Sequence, residues 1–287
     1  MSGSEPPEGG ETSAAEEAET PSEGFVSGVL TLLREVAIVV VLALVLSVVA
    51  KTFLVQSFFI PSDSMNDTLI RDDRVVVSKL TPGPFDLSRG DVVVFEDPGH
   101  WLQGAPRLPE DTSLGQRLKD GLTWVGILPS QEDNHLIKRV IGLPGDHVRC
   151  CTVDGRLEVN GTEVSEGYLY PGDAPSGMPF DVTVPEGRVW VMGDHRSDSS
   201  DSRYHDTNPQ ELAIPQPGAE GYPDGLGTDP RDHTGYFGSV PIDRVVGRAV
   251  AIVWPLGRLT TLGGQDATFG SVPAPSPGAS APSPTGP

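Results

Sequence analysis

Residues 36–50 form an almost entirely apolar run, VAIVVVLALVLSVVA, that contains no charged side chain. A helix needs about 20 apolar residues to cross a hydrocarbon core of roughly 30 Å, so this run alone is short. Apolar residues on both sides extend it, and Arg34, Glu35 and Lys51 then fall near its ends, where charged side chains can reach the interface. The sequence therefore predicts one membrane-spanning helix over residues 29–56.

Two other interpretations of this run are a cleaved signal peptide and a buried helix of a soluble protein. A cleaved signal peptide needs a basic start and a small-residue cleavage site after the apolar segment, and neither is clear in this chain. The apolar density of the run argues against a buried soluble helix. The flanking charges do not predict an orientation, because the N-terminal flank is acidic and Arg34 is matched by Lys51.

Both ends of the chain have the composition of disordered segments. Residues 1–24 hold seven glutamates and no basic residue, and residues 264–287 are rich in Pro, Ser, Ala and Gly. Such segments bury too little apolar surface to offset the entropy cost of ordering them. We therefore predict disordered tails over residues 1–28 and 263–287, with one folded domain over residues 57–262.

Composition and turn signals indicate the class of this domain. The net charge of −20 argues against nucleic-acid binding, which needs clusters of Lys and Arg. Abundant Val, Gly and Pro favour a mainly β fold, and Asp154-Gly155 and Asn160-Gly161 predict hairpin turns. Cys150 and Cys151 are adjacent, and the sequence leaves open whether a disulfide joins them. Strands are predicted at residues 75–80, 92–95, 148–153, 156–159, 182–184, 189–192 and 245–254, and another around Lys138. A helix is predicted at residues 111–125 and a long polar loop at 205–234.

The first candidate for chemistry is the segment 58–69, FFIPSDSMNDTL. Pro61 keeps the residue before it extended, and Ser62 and Ser64 follow with Asp63 between them. A strand end that enters a tight turn can present a hydroxyl beside a free backbone N–H, which is the pair that acyl transfer requires. A Ser/Asp-rich turn without any catalytic role has the same local pattern.

The second candidate is the segment 135–146, HLIKRVIGLPGD, whose β-branched run predicts a strand. Alternation places Leu136 and Lys138 on one face, and Ile137 and Arg139 on the other. Burial would lower the pKa of Lys138 from its reference value of about 10.4 toward the range that a general base needs. An exposed lysine on an edge strand is the alternative.

Two further blocks, residues 89–95, RGDVVVF, and residues 193–203, GDHRSDSSDSR, complete the pattern. In this order and spacing the four blocks resemble the bacterial type I signal peptidases, in particular the actinobacterial ones, which are serine proteases with a Ser–Lys dyad. The resemblance extends from the membrane segment to Arg258. It implies a signal-peptidase-type antiparallel β catalytic domain with one N-terminal transmembrane helix. It also implies a plasma-membrane location, with the N-terminus in the cytoplasm and the catalytic domain outside.

The resemblance implies specific roles as well. Ser64 would be the nucleophile and Lys138 its general base, while Ser62 and the Ser64 N–H would stabilise the oxyanion. The remaining implied residues are the lysine-orienting Ser199, the ion pairs Asp201–Arg203 and Asp194–Arg139, and the apolar pocket walls Phe58, Ile60, Pro61, Met65, Leu69, Leu136 and Ile137. The implied substrates are preproteins with small residues at positions −1 and −3 before the cut, and the implied partners are their signal peptides and the lipid bilayer, with no cofactor and no metal.

Three positions depart from the family pattern. Asp67 stands where proline is usual, and His195 and Asp198 stand where asparagine is usual. His195 could instead act as the base, as histidine does in eukaryotic relatives. Two rival interpretations are a self-cleaving Ser–Lys protease like the SOS-response repressors, which are soluble and bind DNA, and a membrane-tethered β module whose serine is only structural.

Overall fold

A computed structural model of the protein describes residues 22–98, 101–102, 135–207, 234–263 and 266–275. The helix predicted at residues 111–125 and most of the loop predicted at residues 205–234 lie outside these described residues. The chain divides into two compact units, Met1–Leu46 and Ser47–Pro287, and every strand among the described residues belongs to the second unit.

The first element is helix α1, Ser22–Phe53. Its segment Gly28–Val48 has a mean hydropathy of 2.6 and is long and apolar enough to cross a membrane. The helix begins before the predicted span, because Pro21 favours a helix start and no proline interrupts residues 22–53. The prediction of disorder is therefore wrong for residues 22–28. The predicted span, which ends at residue 56, is too long at its C-terminal end, because the helix ends at Phe53 and a strand begins at Val55.

In the part of the chain that the structure describes, the larger of two sheets has eight strands, and all of its pairings are antiparallel. Its strands are β1 (Val55–Phe59), β2 (Arg74–Ser78), β3 (Val92–Glu96), β4 (His135–Gly142), β9 (Arg188–Met192), β10 (Val240–Pro241), β11 (Val245–Trp254) and β12 (Thr260–Thr261). The spatial order is β1-β2-β11-β3-β4-β9-β10, with β12 beside β11. The predicted mainly β class is confirmed, and β4, which carries Lys138, lies inside the sheet.

The smaller sheet has four antiparallel strands in the order β7-β6-β5-β8. These strands are β5 (His147–Cys150), β6 (Leu157–Val159), β7 (Thr162–Val164) and β8 (Phe180–Thr183). The chain turns at both predicted hairpins, and Asn160 and Gly161 have the positive φ values, 50° and 77°, that a tight two-residue turn requires. A disulfide joins Cys150 to Cys151, which settles the alternative that the sequence left open.

Among the described residues, three clusters of buried apolar side chains stabilise the domain. One fills the space beside the smaller sheet and includes Ile141, Val148 and Trp190. A second packs the turn that follows β1 onto the larger sheet and includes Ile60, Met65 and Leu69. The third includes Val93 and Val140 on the other side of β3 and β4. Leu136 packs against the third cluster and Ile137 belongs to the second, which agrees with the predicted alternation along β4.

The chain continues as folded structure past the predicted domain end. Helix α2 (Ser202–Thr207) occupies the start of the predicted polar loop, and a short helix α3 (Asp266–Phe269) follows the last strand. Phe269 and Val272 are only 5% and 8% exposed within the first apolar cluster. The prediction of a disordered tail is therefore wrong for residues 266–275, because these two apolar side chains find a buried site that average composition does not reveal.

A buried ion pair fixes this C-terminal segment to the domain. Both Asp146 carboxylate oxygens accept hydrogen bonds from Arg89 at 2.6 Å. The Pro273 carbonyl accepts a hydrogen bond from Arg89 at 3.1 Å and another from Asn160 at 2.9 Å. The fold therefore places one charged network where the two sheets and the C-terminal segment meet.

We expect Arg89→Ala to lower the free energy of unfolding by roughly 3–5 kcal/mol, because the fully buried Asp146 carboxylate would lose its partner. Arg156→Ala is the matched control, since Arg156 and Glu163 form an exposed pair at 4.0 Å. Urea unfolding of the two detergent-solubilised proteins gives the comparison. Equal stability of the two variants would show that the buried network contributes nothing.

Candidate active site

Ser64 lies in the turn between β1 and β2. The backbone of Ile60 holds this turn by pairing with Asp72 and Asp73 at 3.0 Å in both bonds, so the segment after Pro61 leaves the sheet at a fixed place. Met65 and Leu69 anchor the turn, since both side chains are 0% exposed. Ser64 itself is 7% exposed, and its position is set by these neighbours on both sides.

Lys138 lies on β4, inside the larger sheet, and its side chain contacts Ser64. The residue pairs with Val93 across β3 and β4, and its side chain is 4% exposed. Its Nζ donates a hydrogen bond of 2.5 Å to Ser64 Oγ, across a sequence separation of 74 residues. Burial lowers the pKa of Lys138 from 10.5 to about 8, although the carboxylates of Asp201 and Asp194 oppose this shift. The exposed-lysine alternative is thus wrong.

Two hydrogen-bond donors lie beside the Ser64 hydroxyl. Ser62 Oγ is exposed and lies 3.4 Å from Ser64 Oγ. Among the described residues, the Ser64 N–H has no hydrogen-bond partner in the protein. The two groups that the resemblance implies as oxyanion donors therefore both belong to the turn that carries the Ser64 hydroxyl.

A buried ion pair supports the strand that carries Lys138. Arg139 donates to both Asp194 oxygens, at 2.8 and 2.5 Å, and both side chains are at most 2% exposed. The Thr68 hydroxyl donates to Asp194 at 2.5 Å, and the Arg139 guanidinium stacks 4.1 Å above the Tyr168 ring. Sequence reasoning missed Thr68 and Tyr168, because neither has a local signal that marks it as a partner.

The segment after β9 packs against the backbone of Ser64. The His195 N–H donates to the Ser64 carbonyl at 3.1 Å, and a Cβ added to Gly193 would collide with that same carbonyl and with Ser199. Asp201 holds the segment by accepting from the Gly193 N–H at 2.9 Å and from Arg203 at 2.7 and 2.8 Å. Burial pushes the pKa of Asp201 up, but the hydrogen bonds and charge of Arg203 outweigh burial and lower it.

The structure does not contain the predicted hydrogen bond between Lys138 and Ser199. Among the described residues, the buried Ser199 Oγ has no hydrogen-bond partner. The hydroxyl lies close to Gly193, since a Cβ added there would be 2.3 Å from Ser199 Oγ. Its predicted role as a lysine-orienting group therefore has no contact that supports it.

Most of the predicted pocket walls are core residues. Ile60, Met65 and Leu69 are at most 1% exposed, and Phe58 and Ile137 are 5% and 6% exposed, all within the second apolar cluster. Of the predicted set, only Pro61 and Leu136 have appreciable exposed surface. Apolar residues that flank a site also satisfy core packing, so sequence alone did not separate the two roles.

His195 makes no hydrogen bond to the Ser64 hydroxyl. Its ring stacks on Tyr170 with centroids 4.1 Å apart, and its Nδ1 lies 3.3 Å from the Asp63 carbonyl. The neighbouring Asp198 is exposed, and its charge acts on Lys138 and Arg71. The geometry therefore pairs the serine with Lys138 and not with the histidine.

An antiparallel β domain with a buried serine–lysine pair, preceded in the sequence by one apolar helix, is an arrangement suited to a serine hydrolase. The family model described as "Signal peptidase, peptidase S26" matches residues 33–254. The chain belongs to this signal peptidase family and is a type I enzyme of it.

The similarity to individual proteins agrees with this assignment. A "Probable signal peptidase I" of Mycobacterium leprae is 35% identical over 254 residues, covering 83% of this chain and 82% of the relative. A "Signal peptidase I" of Mycobacterium tuberculosis is 37% identical over 240 residues, covering 79% and 74%. A solved signal peptidase I from Enterococcus faecalis matches at 22% identity with a TM-score of 0.30, and the match covers 57% of this chain and 97% of that one.

Proposed function

We propose that this protein is a membrane-bound serine endopeptidase that removes N-terminal signal peptides from secreted preproteins after A-x-A-like sites. The observation that carries the proposal is the 2.5 Å contact between Lys138 Nζ and Ser64 Oγ inside a buried site. A lysine with a pKa near 8 holds an appreciable unprotonated fraction at neutral pH, so it can accept the hydroxyl proton.

The reaction would proceed through an acyl-enzyme. Ser64 Oγ attacks the scissile carbonyl while the neutral Lys138 amine takes its proton, and the resulting ammonium then protonates the leaving amine. The signal peptide remains attached as an ester of Ser64. Lys138, neutral again, activates a water molecule that hydrolyses this ester and frees the serine.

The tetrahedral intermediates need donors at their negatively charged oxygen. The Ser64 N–H is free among the described residues, and the exposed Ser62 hydroxyl lies 3.4 Å from the Ser64 hydroxyl, so we assign the oxyanion site to these two groups. Removing one such donor typically costs about 10²–10³ in kcat. The ion pairs Arg139–Asp194 and Arg203–Asp201 would fix β4, which carries Lys138, and the segment after β9 in place around Ser64.

The proposed location is the plasma membrane, with α1 as a single span, the N-terminus in the cytoplasm and the catalytic domain outside. The length and hydropathy of Gly28–Val48 support the span. The orientation rests on the family's task, since preproteins are cut after they cross the membrane. The lipid bilayer and emerging signal peptides are therefore the proposed partners.

The test uses the full-length protein in detergent with a preprotein that carries alanine at positions −1 and −3. We expect one cut after the −1 alanine, identified by the mass of both products, and loss of this cut when the −1 alanine becomes a bulky residue. The protein cutting its own chain while the preprotein stays intact would favour a self-cleaving protease. No cut in either chain would favour a structural β module, and both outcomes would overturn the proposal.

A further inference from the structure

His195 contacts the turn of the proposed nucleophile at two points. Its backbone N–H donates a hydrogen bond of 3.1 Å to the Ser64 carbonyl, and its ring Nδ1 lies 3.3 Å from the Asp63 carbonyl. These two carbonyls belong to the peptide groups on either side of the Ser64 Cα. One residue, 132 positions from Asp63 in the sequence, therefore contacts both peptide groups that flank the nucleophile.

The contact with Asp63 defines the tautomer of the His195 ring. A carbonyl oxygen only accepts hydrogen bonds, so Nδ1 must carry the proton in this contact. The ring stacks on Tyr170 with centroids 4.1 Å apart, and the Tyr170 N–H donates to the Asp194 carbonyl at 3.0 Å. The neighbouring segment therefore holds the partly buried ring in a plane from which Nδ1 donates to Asp63.

The hydrogen bond to Asp63 reaches a peptide group that the proposed mechanism uses. The Asp63 carbonyl and the Ser64 N–H are the two ends of one planar trans peptide group, so a bond that fixes the direction of the carbonyl also fixes the direction of the N–H. The Ser64 N–H is the proposed oxyanion donor, and it is free among the described residues. A hydrogen bond accepted at the carbonyl also polarises the peptide group, which makes the N–H a stronger donor.

The Asp63 carbonyl has a second donor within the turn itself. The Asn66 N–H donates to it at 3.0 Å, and a carbonyl oxygen has two lone pairs, so it can accept from Asn66 and His195 together. The bond from Asn66 joins two residues of the same turn and moves with that turn. His195 instead follows β9, which pairs with β4, the strand that carries Lys138. The bond from His195 is therefore the one that sets the direction of the peptide group relative to the proposed base.

We propose that His195 is a positioning residue that aims the Ser64 N–H into the oxyanion site through its Nδ1 hydrogen bond to the Asp63 carbonyl. This inference rests on the proposed function, because it assumes that an oxyanion forms at Ser64. The role differs from that of a base, since the ring donates to a backbone oxygen and takes no proton from the serine. Because the oxyanion exists only after attack, His195 acts on kcat and leaves KM nearly unchanged.

The experiment compares three variants at this position in the full-length protein in detergent. His195→Phe keeps a ring that can stack on Tyr170 but has no donor, and His195→Gln places its amide at the position of Nε2 instead of Nδ1. The amide nitrogen in His195→Asn is as many bonds from Cβ as Nδ1 is, so it can donate to the same carbonyl. All three keep the backbone N–H that donates to Ser64, so they isolate the bond to Asp63.

We expect His195→Phe and His195→Gln to lower kcat for preprotein cleavage about tenfold, with KM within about twofold of the wild-type value. The loss is smaller than the 10²–10³ that removal of an oxyanion donor typically costs, because the Ser64 N–H is still present but less well aimed. His195→Asn should restore most of the lost kcat. His147→Phe is the matched control, since His147 pairs with Asp181 on the smaller sheet, and it should keep wild-type kcat.

A peptide aldehyde that ends in alanine gives a readout that a merely structural role would not move. When it binds, Ser64 Oγ forms a bond to the aldehyde carbon, the carbonyl becomes a single bond to a negatively charged oxygen, and the serine proton passes to the Lys138 amine. The matching peptide alcohol makes the same side-chain contacts and forms no such oxygen. We expect His195→Phe to weaken aldehyde binding about tenfold and alcohol binding less than about twofold.

The outcomes separate this inference from the function on which it rests. Cleavage of no preprotein by the wild-type protein would overturn the proposed function. Wild-type cleavage together with an unchanged kcat in His195→Phe and His195→Gln would leave that function in place and overturn the positioning role. Equal losses in all three variants, or equal weakening of the aldehyde and the alcohol, would also overturn it, because His195 would then act through the substrate or the fold and not through the oxyanion.

Discussion

Replacing Lys138 by methionine is expected to lower kcat/KM for preprotein cleavage by about 10⁴-fold, the scale at which removing a base from a nucleophile–base pair usually acts. Methionine has a similar length and no charge, so it fits a position that is 4% exposed without leaving an unpaired buried group. Lys79→Met, at a partly buried lysine outside the site, is the control and should keep its activity. Loss of less than tenfold in Lys138→Met would mean that another group takes the serine proton.

The pH profile tests the same residue without a mutation. The lysine must be unprotonated to act as a base, and burial lowers its pKa to about 8. Hence kcat/KM should rise as pH increases through about 8 and level off above it. A rise centred near 10.5 would indicate an ordinary, solvated lysine and would contradict the buried base.

The free energy of unfolding should also rise as pH increases through this range. Between about 8 and 10.5 the unfolded chain binds a proton at Lys138 that the folded chain does not, so the free energy of unfolding from this group rises with pH across that window. The Lys138→Met variant lacks this contribution. The difference between wild-type and variant stability curves should therefore change with pH only in this range, which distinguishes a titrating buried lysine from a structural one.

Features that depend on neighbouring residues could be predicted from the sequence. Strand β11 was predicted with the bounds it has, Val245–Trp254, because its β-branched residues and flanking prolines are local signals. The Asn160-Gly161 turn was predicted because these residue types tolerate positive φ. The apolar helix needed only hydropathy and length.

Features that depend on contacts between distant residues were harder to predict from the sequence. The pairing of Ser64 with Lys138 came from family resemblance, since no local pattern shows that residues 74 positions apart meet. Thr68 and Asp194 are 126 positions apart, and their hydrogen bond has no sequence signal at all. The burial of Phe269 was missed because two apolar residues do not change the average of a Pro/Ser-rich segment.

Gly193→Ala is expected to lower kcat/KM by about 10²-fold, through displacement of the nucleophile's turn. The added Cβ would lie 2.7 Å from Ser199 Cβ and would fall well inside the van der Waals distance of the Ser64 carbonyl oxygen. A backbone oxygen cannot rotate away as a side chain can, so the Ser64 turn or β9 must shift. A displacement of about 1 Å at a reacting group is enough for a loss of this size.

Gly167→Ala is the matched control, because a Cβ at Gly167 would meet no atom within 4 Å. That variant should keep wild-type activity, which separates the effect of the contact from the effect of replacing a glycine. Adding Ser199→Gly to Gly193→Ala removes the side-chain contacts but leaves the Ser64 carbonyl in place, so the double variant should stay impaired. Full recovery in the double variant would mean that Ser199, rather than the backbone of Ser64, limits how closely β9 approaches the nucleophile.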